Sequence, residues 1–138
     1  MQHLLDNKRY IVVLSRGEKV IETLTEFCKD KNIEGGFFTG LGAVEDPTLA
    51  HYSVPTKKYS KQTLRGAFEL TNITGSIGFE KEIIVHAHVT LSDETMEAYG
   101  GHLVETIVGG TVEIIIFPTK KLTKKLDTTT GLKLFSLS

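Results

Sequence analysis

The segment that most constrains the fold is Val108 to Phe117. It carries Val112, Ile114, Ile115, Ile116 and Phe117 within a few positions, so it is apolar at odd and even positions alike. Side chains on a strand alternate between the two faces of the sheet, and a strand apolar on both faces belongs at the centre of a sheet, fully buried. The chain is therefore expected to be built around a sheet. Other short runs follow the same logic. Arg9 to Leu14 is β-branched, and from Thr48 onward come Thr48 to Val54, Thr63 to Ile73, Ser76 to Phe79 and Ile83 to Leu91. Pro47 and Pro55 bracket one run and Gly75 and Gly78 punctuate others, where turns between antiparallel strands are expected.

One segment has the other period. Between Glu18 and Lys31, Val20, Ile21, Leu24, Phe27 and Cys28 fall on one helical face, with Glu22, Glu26, Lys29 and Asp30 elsewhere. Ser15 and Glu18 ahead of it match a capping box, and the helix should end around Asn32. The pattern predicts an α+β fold, a mainly antiparallel sheet packed against one amphipathic helix. At 138 residues the chain forms a single domain, residues 1 to 138. Gly35 to Val44 lacks the Gly-Lys-Ser/Thr ending of a phosphate loop and reads as a tight strand and turn. Leu132, Leu134, Phe135 and Leu137 suggest a final strand.

Composition excludes several function classes. A hydrophobic share of 40% and a charged share of 24% are those of a globular protein, and no run reaches the roughly 18 apolar residues of a membrane span. No secretory signal is visible at the N-terminus, so a cytoplasmic location is expected. Lys and Arg number 16 against 17 Asp and Glu, a net charge of −1, which gives no global attraction to nucleic acid. Only Arg9, Arg16 and Arg65 are arginines, and Lys120, Lys121, Lys124 and Lys125 read as a solvated loop. Cys28, the single cysteine, lies on the apolar helical stripe and is expected to be a buried, inert thiol.

Chemistry concentrates in the histidines. In Ile84-Val85-His86-Ala87-His88-Val89-Thr90-Leu91, strand periodicity places Ile84, His86, His88 and Thr90 on one face. Two imidazoles side by side are a recurrent way to supply two metal ligands. In Gly100-Gly101-His102-Leu103 the glycines let the backbone turn sharply and bring a third imidazole close. His86, His88 and His102 would hold Zn2+ or another divalent transition metal, leaving a fourth position for water. Glu105, three residues past His102, is the best nearby carboxylate, a candidate ligand, a hydrogen-bond partner to a ligand, or a base. The alternative is that His86 and His88 fill a polar pocket or a subunit interface. His3 and His51 have no such context, and Asp93 and Glu94 most simply form a turn.

Four ordered segments resemble one known family. Gly66-Ala67-Phe68-Glu69-Leu70 is similar to the Gly-Arg-Phe-Glu-Ile-Leu signature of the PPC domain, the plants and prokaryotes conserved domain. Gly40-Leu41-Gly42-Ala43-Val44, His86-Ala87-His88-Val89-Thr90-Leu91-Ser92 and Gly100-Gly101-His102-Leu103 extend the match over nearly the whole chain. In plants this domain follows an AT-hook in nuclear DNA-binding proteins. The resemblance implies an α+β fold, assembly as a homotrimer and metal at the histidines. Ala67 stands where the family has arginine, and no Arg-Gly-Arg-Pro AT-hook occurs, so direct DNA contact is not expected to carry over.

Two functions compete at this stage. One is a homotrimeric, metal-binding regulatory or assembly module of the stand-alone prokaryotic type, acting through protein partners and linked to DNA-associated proteins. The other is a small zinc-dependent enzyme of hydrolase or lyase type, using metal-bound water with Glu105 or Glu69 as acid or base. A cupin-like metal enzyme ranks last, because the second cupin motif is missing.

Overall fold

A computed structural model describes residues 1–137. Nine strands and one helix follow in the order β1 (Gln2–Asp6), β2 (Arg9–Ser15), α1 (Val20–Asp30), β3 (Gly36–Ser53), β4 (Lys58–Thr63), β5 (Ala67–Phe79), β6 (Ile83–Ser92), β7 (Ala98–Pro118), β8 (Lys124–Leu126) and β9 (Lys133–Phe135). The first seven strands form one antiparallel sheet in the order β1-β2-β7-β6-β5-β3-β4. Because β3 also pairs with β7, from Gly36 opposite Pro118 to Ala50 opposite His102, the sheet curls back and closes on itself. β8 and β9 make a separate small hairpin.

The helix forms where the 3.6-residue period predicts. Its stripe of Val20, Leu24, Phe27 and Cys28 is buried against β6 and β7, in one core with Val12, Leu14, Ile73, Ile77, Val89, Leu91, Val112, Ile114 and Ile116. It ends in a Schellman motif: Asn32 has a φ of 53°, its N–H donates to the Lys29 carbonyl, and the Ile33 N–H donates to the Cys28 carbonyl at 2.9 Å. Burial pushes the Cys28 thiol up to about 12, which keeps it protonated and inert.

Several expected breaks are not breaks. Gly35 to Val44 is no strand and turn: from Gly36 it is the start of the 18-residue β3, which runs through Pro47. Pro47 is tolerated because its segment lies between register shifts, at Glu45/Thr48 against β7, with Asp46 at a φ of 47°. Gly75 and Gly78 sit inside β5. A Cβ on Gly75 would run into the Phe38 ring and the His86 carbonyl, and one on Gly78 would lie 2.9 Å from Cε of Lys124. These glycines make room for close approaches, not for turns. Helix α1 likewise starts at Val20 rather than Glu18: the Glu18 carboxylate accepts from the Ser15 N–H at 2.7 Å, but Lys19 is the N-cap and offers no side-chain bond.

β7 is central, as its composition demands, yet it is covered on one face only. Val112, Ile114 and Ile116 are buried, whereas Phe117 is 41% exposed. Its outer face continues onto its neighbours, with Ile11 opposite Ile115 and Phe37 opposite Phe117. Ile11, Phe37, Leu41 and Phe117 all remain exposed there.

Candidate metal centre

β6 supplies two of the three imidazoles. Ala87, Val89 and Leu91 point into the core, and alternation sends His86 and His88 to the opposite face. The third comes from register: the β6–β7 hairpin sets His88 directly across from His102. Ring centroids are 5.0 Å apart for His86 and His88, 5.1 Å for His86 and His102, and 5.7 Å for His88 and His102. One nitrogen from each ring lies within 4.8 Å of the others. A tetrahedral ion with bonds of about 2.0–2.1 Å needs nitrogens roughly 3.3 Å apart, so the rings would draw together to bind one. The donor set, three imidazole nitrogens with no carboxylate or thiolate in the group among the described residues, fits zinc or a similar divalent transition metal.

Gly100 and Gly101 do not turn the chain; they are extended within β7. Their role is proximity. A Cβ on Gly100 would stand 3.1 Å from the Val89 carbonyl oxygen, and one on Gly101 would stand 3.3 Å from that of Ala50. The bare backbone lets β7 lie close between β6 and β3, next to His102.

The electrostatics favour neutral imidazoles. Burial, then the Lys124 ammonium, then the other two histidines push the His86 pKa down to about 4. His102 is lowered by burial, by His88 and by Lys61. Both rings have a free lone pair for a metal at neutral pH. The ring of Tyr59 on β4 stands 5.7 Å from His102, and Ser76 on β5 faces His86.

Glu105 is elsewhere, which corrects its reading as ligand or base. Its carboxylate accepts from the backbone N–H groups of Ile21 at 2.9 Å, Glu22 at 3.1 Å and Thr106 at 2.9 Å. It caps the N-terminus of α1, the position that Lys19 leaves uncapped. Glu69 pairs with Ser92, four residues along β6 from His88, about 13 Å at the rise of a strand. Asp93 accepts from Thr95 and Glu97 in the β6–β7 turn. His51 is exposed on β3, and His3 packs its ring 5.2 Å from Phe27.

Of the other motif residues, Gly66 has a φ of 105° and donates its N–H to Asp46, while Phe68 packs edge-on to Tyr99. The residue that sequence reasoning missed is Lys124. Instead of sitting in a solvated loop it is 6% exposed on β8, its stem laid over Gly78, and burial lowers its pKa. No local signal marks it, because it reaches the site only through the fold-back of β8 and β9.

A small, mainly antiparallel β domain with three imidazoles on the outer face of its sheet defines a restricted class of protein. The chain belongs to the Plants and Prokaryotes Conserved (PCC) domain family, whose model matches residues 1–120. Three solved structures illustrate the likeness. A Bacteroides thetaiotaomicron protein described as a "putative dna binding protein" is 27% identical with a TM-score of 0.95, covering 98% of this chain and 96% of its own. The metal-containing protein of Archaeoglobus fulgidus is 26% identical with a TM-score of 0.87, at 94% coverage of both chains. A plant- and prokaryote-conserved (PPC) protein of Pyrococcus horikoshii is 30% identical with a TM-score of 0.86, covering 98% of this chain and 94% of that one. No functionally curated protein matches significantly. No helix among the described residues is long and apolar enough to cross a membrane.

Proposed function

We propose that this protein is a homotrimeric, metal-binding regulatory or assembly module that holds Zn2+ or a similar ion on His86, His88 and His102 and acts through protein contacts beside DNA-associated partners. The observation that carries the metal is the convergence of three imidazole nitrogens within 4.8 Å, and the similarity to the metal-containing A. fulgidus protein supports it. Trimerisation is supported by the apolar outer face of β2, β7 and β3, where Ile11, Phe37, Leu41 and Phe117 lie exposed. The DNA association rests on how the B. thetaiotaomicron relative is described. With a net charge of −1, that association runs through partners rather than phosphate contacts.

The second reading, a zinc enzyme of hydrolase or lyase type, is favoured by the open fourth position. It lacks a proton-transfer partner, since Glu105 is engaged at the helix and Glu69 is remote. Elemental analysis tests the metal: about one ion per chain is expected, lost in His88→Ala, and an unchanged content in that variant sinks the assignment. Light scattering tests the assembly. Three times the chain mass is expected for the wild type and a smaller species for Phe37→Asp; a monomeric wild type rejects the trimer.

A further inference from the structure

Two lysines bear on the histidine cluster. The charged side chains acting on His86 and His102 are Lys124 and Lys61. Three acidic groups close to the cluster in sequence or along the strands are occupied elsewhere, and Glu82 acts on Lys29 of the helix. Glu105 holds the helix terminus, Asp93 the β6–β7 turn, and Glu80 pairs with Lys133 at 2.6 Å. None of the nine ion pairs among the described residues includes Lys124. Its ammonium has only the face of the Phe135 ring, 4.8 Å away, as a partial partner.

The Lys124 stem is buried while its ammonium reaches the surface without an ion-pair partner among the described residues, and burial lowers its pKa. A divalent ion on the three imidazoles would add two more positive charges beside it. Position is not accidental. The Lys124 stem lies over Gly78, where a Cβ would stand 3.0 Å from its Cγ, and its ammonium lies over the Phe135 ring. On β5 Gly78 is two residues from Ser76, which stands across from His86. Lysine, hairpin and cluster thus share one patch of the outer face, with the Ser76 hydroxyl beside it.

From this we infer that the cluster is a receptor for a small carboxylate, which completes the metal's open position and is balanced by Lys124. The inference rests on the metal-binding reading above and adds the ligand's chemistry to it. A carboxylate suits the site better than phosphate. The recognition group is a single ammonium at the end of a strand-borne stem, with no arginine fork and no run of backbone N–H groups, the devices that take doubly charged tetrahedral anions. Ser76 supplies one further donor to the anion.

The test uses the full chain loaded with Co2+, whose visible absorption reports the fourth ligand, titrated with acetate and separately with inorganic phosphate at constant ionic strength. Acetate is expected to change the spectrum saturably. Lys124→Met, which keeps the stem packing, is expected to retain one Co2+ per chain and weaken acetate about tenfold or more, while Lys124→Arg keeps binding within a few-fold. Should Lys124→Met fail to fold, the Lys124→Arg titration and a Ser76→Ala variant, expected to weaken acetate several-fold, decide the matter. An unchanged spectrum with Co2+ bound overturns the carboxylate site and leaves the metal reading standing, as does equal acetate affinity in wild type and Lys124→Met. Phosphate bound in preference to acetate overturns the assignment of ligand. Failure of the wild type to take up Co2+ overturns both.

Discussion

Replacing Glu105 separates a structural carboxylate from a catalytic one. Its two oxygens accept the N–H groups of Ile21 and Glu22, the second and third residues of α1, and one also accepts from Thr106. Loss of an N-cap acceptor costs about 1 kcal/mol, and removing a negative charge from the positive end of the helix dipole adds about 0.3–1 kcal/mol. A third N–H loses its acceptor as well, so Glu105→Ala is expected to cost about 2 kcal/mol. Unfolding entropy of about 2.1 cal/mol/K per residue over 138 residues converts this to a Tm drop of roughly 7 °C. Glu105→Gln keeps one acceptor oxygen and should lose about half as much. Thermal unfolding followed by far-UV circular dichroism at one fixed protein concentration measures the drop, with metal content determined on the same samples. The expected result is a lowered Tm with metal unchanged. An unchanged Tm with metal lost refutes the capping argument and returns Glu105 to the histidines.

Three further outcomes follow from the same geometry. In the metal-free protein, His86 titrates near 4 when folded against about 6.5 unfolded, so the unfolded chain binds more protons between those values and stability falls as pH drops through them. For a half-exposed ring this amounts to about 1–2 kcal/mol; urea midpoints at pH 7 and 4.5 should show His86→Gln losing that much less than wild type, and identical slopes contradict it. Gly75→Ala forces a Cβ against the Phe38 ring and the His86 carbonyl, and should cost about 2–3 kcal/mol in urea unfolding, whereas a neutral result would mean that β5 shifts freely. Cys28, fully buried with its thiol pushed up to about 12, should react with a thiol reagent only in denaturant, and rapid labelling of the native protein contradicts that packing.

The helix and the short strands were legible because each carries its own period over a few turns or residues. The apolar stripe of α1, the alternation of β2 and the His86/His88 pair on β6 all needed only neighbouring positions. What local pattern could not supply is the difference between a glycine that turns the chain and one that admits a neighbour. Gly75, Gly100 and Gly101 are of the second kind, and reading them as turns cut β5 and β7 short. The same misreading misplaced Glu105. In a turn, three residues after His102 can lie beside it, but in a strand an odd offset sends the side chain to the other face, where the helix waits. Lys124 was illegible for a different reason. Its burial depends on where a distant hairpin lands.

The closure of the sheet by β3 and β7 has a kinetic consequence. Gly36 must find Pro118, and Ala50 must find His102, so the pairing that completes the core joins segments far apart in the chain. Closing such a loop costs chain entropy before any contact rewards it, which places the domain among the slower-folding topologies. During synthesis β3 has β4 and β5 to pair with, but its other edge, with Phe37 and Leu41, stays open until β7 has left the ribosome. The core therefore cannot close before β7 has emerged, and the open flank of β3 is the surface a chaperone would meet first.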